Sequence, residues 1–259
     1  MAINFTASIL LAGLFLADPG TDVPVKETHV LRAETGTSIA GRMETLYTLS
    51  RQEFQVYVTG SQDAERGLLL VHEWWGLTEH LKVEADYWAS RGFRVFAPDL
   101  YDGRIPRTSR AAARIMQAID QPLANSKMGA VLDVMAQAGI QAFALGWCFG
   151  GGQVLQGGIA YPDRLQAIAI YYGRPELRES RLARLRSPVL GIWAVQDGWI
   201  TPQRVESFAK ALAKAGREYE FHHFDAGHAF ANPSGDHYDS ALAREARRLT
   251  EDFFDRALR

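Results

Sequence analysis

The sequence predicts a single doubly wound α/β domain, and two observations carry that expectation. Five short, nearly continuous apolar runs, at 67–71, 93–97, 143–145, 167–171 and 189–195, have the composition of strands buried on both faces of a parallel sheet. Longer helix-compatible segments separate them, at 79–90, 109–119, 125–138, 150–161 and 202–215. Such alternation winds helices onto both faces of an open sheet. At 259 residues, with 47% apolar and 22% charged residues, the chain suits one domain of the larger α/β kind.

In chain order, residues 1–25 read as an apolar arm and 26–259 as one domain that no repeat, low-complexity tract or linker divides. The stretch 7–17 has the length of a signal segment and is far too short to span a bilayer. No Lys or Arg precedes Lys26, and Phe15 stands where a cut after Ala17 needs a small residue, so the reading favours the cytoplasm over export. Segments 43–50 and 53–58 read as short strands. The second alternates Phe54, Val56 and Val58 with Gln55 and Tyr57, as an antiparallel edge does. A last strand at 219–224 and a charged amphipathic helix at 238–258 close the domain.

Composition excludes several classes of function. A formal charge of -2 gives no electrostatic case for nucleic acid or an anionic membrane surface. One cysteine excludes an internal disulfide framework and a multi-thiolate metal site. His222 and His223 lie within a strand pattern, without the partners a metal site requires. No cofactor and no metal are expected, and nothing in the sequence specifies an oligomeric state.

That single cysteine sits in Gly146-Trp147-Cys148-Phe149-Gly150-Gly151, directly after the apolar run 142–145 and before a helix-compatible segment. A strand that turns this sharply into a helix lifts one side chain above the sheet, and the flanking glycines leave room for so tight a turn. Sites on such sheets gather at the carboxyl ends of the strands. The residues there are Glu73, Asp99, Cys148, Asp197 and His228. The order nucleophile, acid, histidine is that of the α/β-hydrolase triad. In this reading His228 takes the Cys148 proton and later activates water, while Asp197 fixes the imidazole tautomer. The backbone N–H groups of Phe149 and Trp74 are the expected oxyanion donors. Asp99 reads as a carboxylate that anchors loops. Glu73 should oppose a thiolate by like-charge repulsion, and its functional reading is a carboxylate that hydrogen-bonds the resting thiol and holds it neutral. Trp74, Trp75, Trp147, Phe149, Trp199 and Phe230 surround the site in sequence, and Trp199 and Phe230 are the expected walls of an apolar mouth.

The residues resemble the dienelactone hydrolase family of α/β-hydrolases with a cysteine nucleophile. The matching segments are 71–77, 91–93, 97–101, 146–151, 171–173, 196–197 and 226–230, in order from about residue 43 to the C-terminus. The resemblance implies an α/β-hydrolase fold and hydrolysis of a small carboxylic ester or lactone. It implies Cys148, Asp197 and His228 as the triad, with Glu73 gating the cysteine. Members that cleave dienelactone hold its carboxylate with two arginines. Arg104 stands about one residue from the position of the first, and Asn232 occupies the position of the second. A neutral amide holds a carboxylate more weakly than a guanidinium fork does, so the departure counts against dienelactone itself. Competing readings are a broad esterase or thioesterase on the same triad and, in a different class, a non-catalytic binding protein or a thiol redox sensor.

Overall fold

The computed structural model describes residues 39–258, so the reading of the N-terminal arm lies outside the described residues. Eight strands form one sheet: β1 (Arg42–Tyr47), β2 (Glu53–Thr59), β3 (Arg66–Val71), β4 (Phe93–Pro98), β5 (Gln141–Trp147), β6 (Ile168–Tyr171), β7 (Val189–Ala194) and β8 (Tyr219–Phe224). Their spatial order is β1-β2-β4-β3-β5-β6-β7-β8. From β4 to β8 every neighbouring pair is parallel, while β1–β2 and β2–β4 are antiparallel. This is the α/β-hydrolase arrangement the sequence predicts.

The helices are α1 (Glu79–Ser90), α2 (Ser109–Gln117), α3 (Gln121–Gln137), α4 (Phe149–Ala160), α5 (Glu179–Leu182), α6 (Pro202–Lys214) and α7 (Ser240–Arg256). Alternate residues of each strand feed two separate cores. Leu69 and Val71 of β3 join Met128 and Leu132 of α3, Leu155 of α4 and Phe208 of α6. Leu68 and Leu70 point the other way, into Leu81 and Trp88 of α1 and Phe253 and Phe254 of α7. A strand with apolar side chains on both faces has no exposed side, which is why these runs are continuous rather than alternating. Among the described residues no helix is long and apolar enough to cross a membrane.

Four elements differ from expectation for physical reasons. The first strand ends at Tyr47, because Thr48 to Arg51 close a turn in which Arg51 takes φ 64° and its N–H donates to the Thr48 carbonyl. The second strand is not the edge: β1 covers it, and five of its seven residues are buried. Helix α3 begins at Gln121 because the Asp120 carboxylate caps the Leu123 N–H and Pro122 sits in the first turn. The four-residue α5 carries no periodic pattern long enough to read.

Candidate active site

Only Cys148 separates the end of β5 from the start of α4, at φ 51° and ψ -115°. L-residues rarely adopt such a backbone, and it persists only where surroundings over-determine it. Here they do. A Cβ on Gly146 would lie 2.4 Å from the backbone of Gly150, and a Cβ on Gly150 would lie 2.2 Å from the Val71 carbonyl oxygen. The Cys148 N–H donates to the Tyr171 carbonyl at 2.9 Å, fixing the turn to β6. The same close approach sets the first turn of α4 against the end of β3, where Glu73 and Trp74 follow. Phe149, as first residue of α4, has an N–H with no acceptor inside its helix. The dipole of α4 favours negative charge at that end.

The acid and the histidine come from the ends of β7 and β8. The Asp197 side chain is fully buried. Its Oδ1 accepts the N–H groups of Trp199 (2.7 Å) and Ile200 (2.9 Å), leaving Oδ2 for His228 Nδ1 at 2.6 Å. Burial alone would raise the Asp197 carboxyl, but the bond and charge of His228 with those two N–H groups hold it below its usual value. Burial likewise works against a charged His228, yet the charge of Cys148, the bond to Asp197 and the contact with Cys148 push it up to about 10. His228 Nε2 is buried and makes no hydrogen bond of ordinary geometry; the group acting on it is Cys148.

Glu73 is buried beside this pair, and burial pushes its carboxyl up to about 7, against the lowering effects of His228 and Asn232. The hydrogen bond expected between Glu73 and the thiol is absent. Glu73 Oε2 instead accepts from the Asn232 amide, and Oε1 has no partner among the described residues. Asn232 is itself buried, and its Oδ1 accepts the Ser234 N–H at 2.8 Å, so both ends of its amide are engaged within the protein.

The predicted walls divide into two groups. Trp199 is half-buried, with its ring 4.9 Å from His228 and 5.2 Å from Trp74, and it flanks the histidine as expected. Trp147 is buried against Tyr171, and Phe149 stacks on His72. Phe230 corrects the expectation of a mouth wall: it is 0% exposed, packed between Tyr172 and Phe224, so it belongs to the core. Arg104 is exposed, and its Nε donates to the Tyr101 carbonyl at 2.7 Å.

Beneath the site lies a polar layer. Asp99 anchors the following loop through the N–H groups of Tyr101 (2.8 Å) and Gly103 (2.6 Å), as the sequence suggests. His72 Nδ1 lies 2.6 Å from the Glu73 carbonyl, and its Nε2 accepts the Leu100 N–H; burial holds its pKa down, so it acts as a neutral brace. The buried ammonium of Lys127 reaches the Asp99 carbonyl and Asp102. Tyr172 was not singled out from the sequence for any role. It sits at φ 37° with its ring 5.0 Å from His228, and its buried hydroxyl has no partner among the described residues. The charges of Glu73 and Cys148 both bear on it. A tyrosine just past a strand end was the available signal.

The family model of the dienelactone hydrolase family matches residues 54–258. The chain belongs to the dienelactone hydrolase family. It is 28% identical over 215 residues to a protein of Aquifex aeolicus described as a candidate carboxymethylenebutenolidase, covering 76% of this chain and 91% of that one. The structure resembles that of a candidate dienelactone hydrolase from Klebsiella pneumoniae, with a TM-score of 0.75, 19% identity, and coverage of 85% of this chain and 99% of the other. It also resembles a dienelactone hydrolase-like promiscuous phosphotriesterase, P91, from metagenomic libraries, with a TM-score of 0.73, 21% identity, and coverage of 84% and 99%. The family membership makes the protein a hydrolase acting on ester bonds.

Proposed function

We propose that Cys148 is the nucleophile of a carboxylic ester hydrolase, with His228 as proton carrier and Asp197 as its orienting partner. The observation that carries this reading is the strained Cys148 backbone at the elbow, set beside an imidazole that Asp197 holds at 2.6 Å. The elevated pKa of His228 supports an imidazolium beside Cys148 at rest, in place of the neutral base expected from the sequence. The sulfur attacks the ester carbonyl. The oxyanion is held by the N–H groups of Phe149 and Trp74, and the His228 proton passes to the leaving alkoxide. Neutral His228 then takes a proton from water, hydroxide attacks the thioester, and the acid departs as the thiolate reforms.

Asn232 favours a general ester over dienelactone. Its amide is engaged by Glu73 and by Ser234, so it does not offer the fork that would clamp a carboxylate. The test is release of chromophore from p-nitrophenyl acetate, together with intact mass after rapid denaturation. Wild-type protein should turn over and carry one acetyl group on Cys148, and Cys148→Ala should lose roughly 10³-fold or more of the rate. Equal rates would overturn the cysteine mechanism. Sulfenic acid at Cys148 without ester turnover would favour the sensor reading.

A further inference from the structure

We infer that His72 is a positioning residue for the oxyanion hole, aiming the Trp74 N–H through the peptide group that Trp74 shares with Glu73. This rests on Cys148 being the nucleophile, with Trp74 and Phe149 as the oxyanion donors. The Glu73 carbonyl and the Trp74 N–H lie in one peptide plane, and in a trans peptide they point in opposite directions. Whatever holds the carbonyl therefore sets the direction of the N–H. The carbonyl is held twice, by His72 Nδ1 at 2.6 Å and by the Gly76 N–H at 3.2 Å. The Trp74 N–H itself has no acceptor among the described residues. The same imidazole is also close to the second donor, because its ring stacks on Phe149 with centroids 5.7 Å apart. One fully buried ring touches both segments from which the hole is built.

The surroundings fix the tautomer of His72. Burial keeps the ring neutral, so it carries a single N–H. Nε2 accepts the Leu100 N–H at 3.2 Å, which leaves the proton on Nδ1, and Nδ1 donates to the Glu73 carbonyl. The same alternation continues away from the site. The Leu100 N–H shares its peptide with the Asp99 carbonyl, which accepts from the buried Lys127 ammonium at 3.1 Å. Lys127, the Asp99–Leu100 peptide, the imidazole and the Glu73–Trp74 peptide form one chain in which each donor points to the next acceptor. The Trp74 N–H is its free end. Aligned hydrogen bonds polarise one another, so the chain both orients this N–H and strengthens it as a donor. Half-exposed Asp102 answers the charge of Lys127, so what reaches the hole is an aimed donor and not a net charge.

Three readouts separate aim from packing. They are kcat and KM for p-nitrophenyl acetate, affinity for a trifluoromethyl ketone, and alkylation of Cys148 by iodoacetamide. The ketone oxygen becomes an oxyanion when the sulfur adds to its carbonyl, whereas alkylation is a displacement that forms none. His72→Leu removes both hydrogen bonds at nearly constant volume. It should lower kcat by about 10- to 100-fold and weaken the ketone by a similar factor, while KM and the alkylation rate stay within about twofold of wild type. His72→Phe, which keeps the ring contacts, takes its place if His72→Leu does not fold. His72→Asn packs worse but keeps an N–H donor at the δ position, and it should recover most of the lost rate. Packing alone predicts the reverse order of Leu and Asn. Lys127→Met should give the same selective pattern at about two- to fivefold. Alkylation that falls in step with kcat, or Asn no better than Leu, overturns the assignment and leaves His72 as packing. Unchanged kcat in His72→Leu also overturns it, while the hydrolase reading stands as long as turnover requires Cys148. Unchanged kcat in Lys127→Met overturns the aligned chain beyond His72. Wild-type turnover equal to that of Cys148→Ala is the separate failure of the hydrolase reading, and the inference falls with it.

Discussion

Two halves of the site, on either side of Trp147, are built to opposite standards. On one side, Asp197 is saturated by two backbone N–H groups and His228, and the Cys148 turn is closed by glycines that admit no side chain. On the other, Glu73 Oε1 and the Ser234 hydroxyl are buried without partners among the described residues, on the wall of a small cavity of about 20 Å³. The difference separates two tasks. Reacting atoms must be held within a fraction of an ångström, which requires rotamers locked by their neighbours. A buried polar group left unpaired costs stability and stays available to a new partner, whereas one already satisfied gains nothing from a ligand.

The saturated half is broken most completely at its acid. Asp197→Asn preserves the shape but presents the wrong hydrogen-bond pattern to His228 Nδ1, which loses the partner that orients it. The expected loss in kcat is about 10² to 10⁴-fold with little change in KM. A drop below threefold in p-nitrophenyl acetate turnover would show that the Asp197–His228 contact is structural only.

The glycines give the next largest effect. Gly150→Ala forces a Cβ to 2.2 Å from the Val71 carbonyl oxygen, so the first turn of α4 must move off β3, at a cost of roughly 3 kcal/mol. Gly198, adjacent to Asp197, has nothing within 4 Å of its Cβ direction, and Gly198→Ala should stay within about 0.5 kcal/mol of wild type. Urea unfolding of the pair measures the contrast. Equal midpoints would mean that the elbow relaxes more easily than its contacts imply.

How much of this was legible in the sequence follows the same division. Cys148 and Asp197 each follow an apolar strand and His228 follows the last, more polar one, so the strand pattern announces their positions and chain order supplies the roles proposed for them. Asp99 was legible for a similar reason, since it begins a loop at a strand end. Phe230 and Asn232 were not. Both lie in the loop after β8, where no period tells inward from outward, and packing sends Phe230 under Tyr172 and Asn232 onto Glu73. The Glu73–Asn232 bond joins residues 159 apart, and nothing local in either segment encodes it. Tyr172 was visible as a residue, while its significance depends on a hydroxyl left without a partner.

The open half is sharpened by pH. Burial raises Glu73 from an ordinary 4.5 to about 7, so between those values the folded protein binds a proton that the unfolded chain has lost. Stability from this group is fully present below pH 4.5 and is lost as pH rises through 7. The loss is at most about 3 kcal/mol, at 1.36 kcal/mol per pKa unit. Glu73→Gln keeps the amide partner and removes the titration. Its stability relative to wild type should therefore climb from pH 4.5 to 7.5, by denaturant unfolding at each pH. A flat difference would mean that the Glu73 carboxyl is hydrated in solution and titrates without a shift.

Tyr172 is where the two halves meet, and it should give the smallest effect. Its ring packs on His228, on the saturated side, while its buried hydroxyl lies under the charges of Glu73 and Cys148 without a partner among the described residues. An unpaired buried hydroxyl destabilises a fold by about 1 kcal/mol, so Tyr172→Phe should raise stability by about that amount. The ring contact with His228 is kept, so the geometry of the imidazole is not disturbed. If the hydroxyl is held in reserve for the transition state, kcat should fall severalfold while KM barely moves, linking a small gain in stability to a small loss of rate. A stabilised variant with unchanged kcat would assign the orphan hydroxyl to packing alone and place the boundary between the two halves at Glu73.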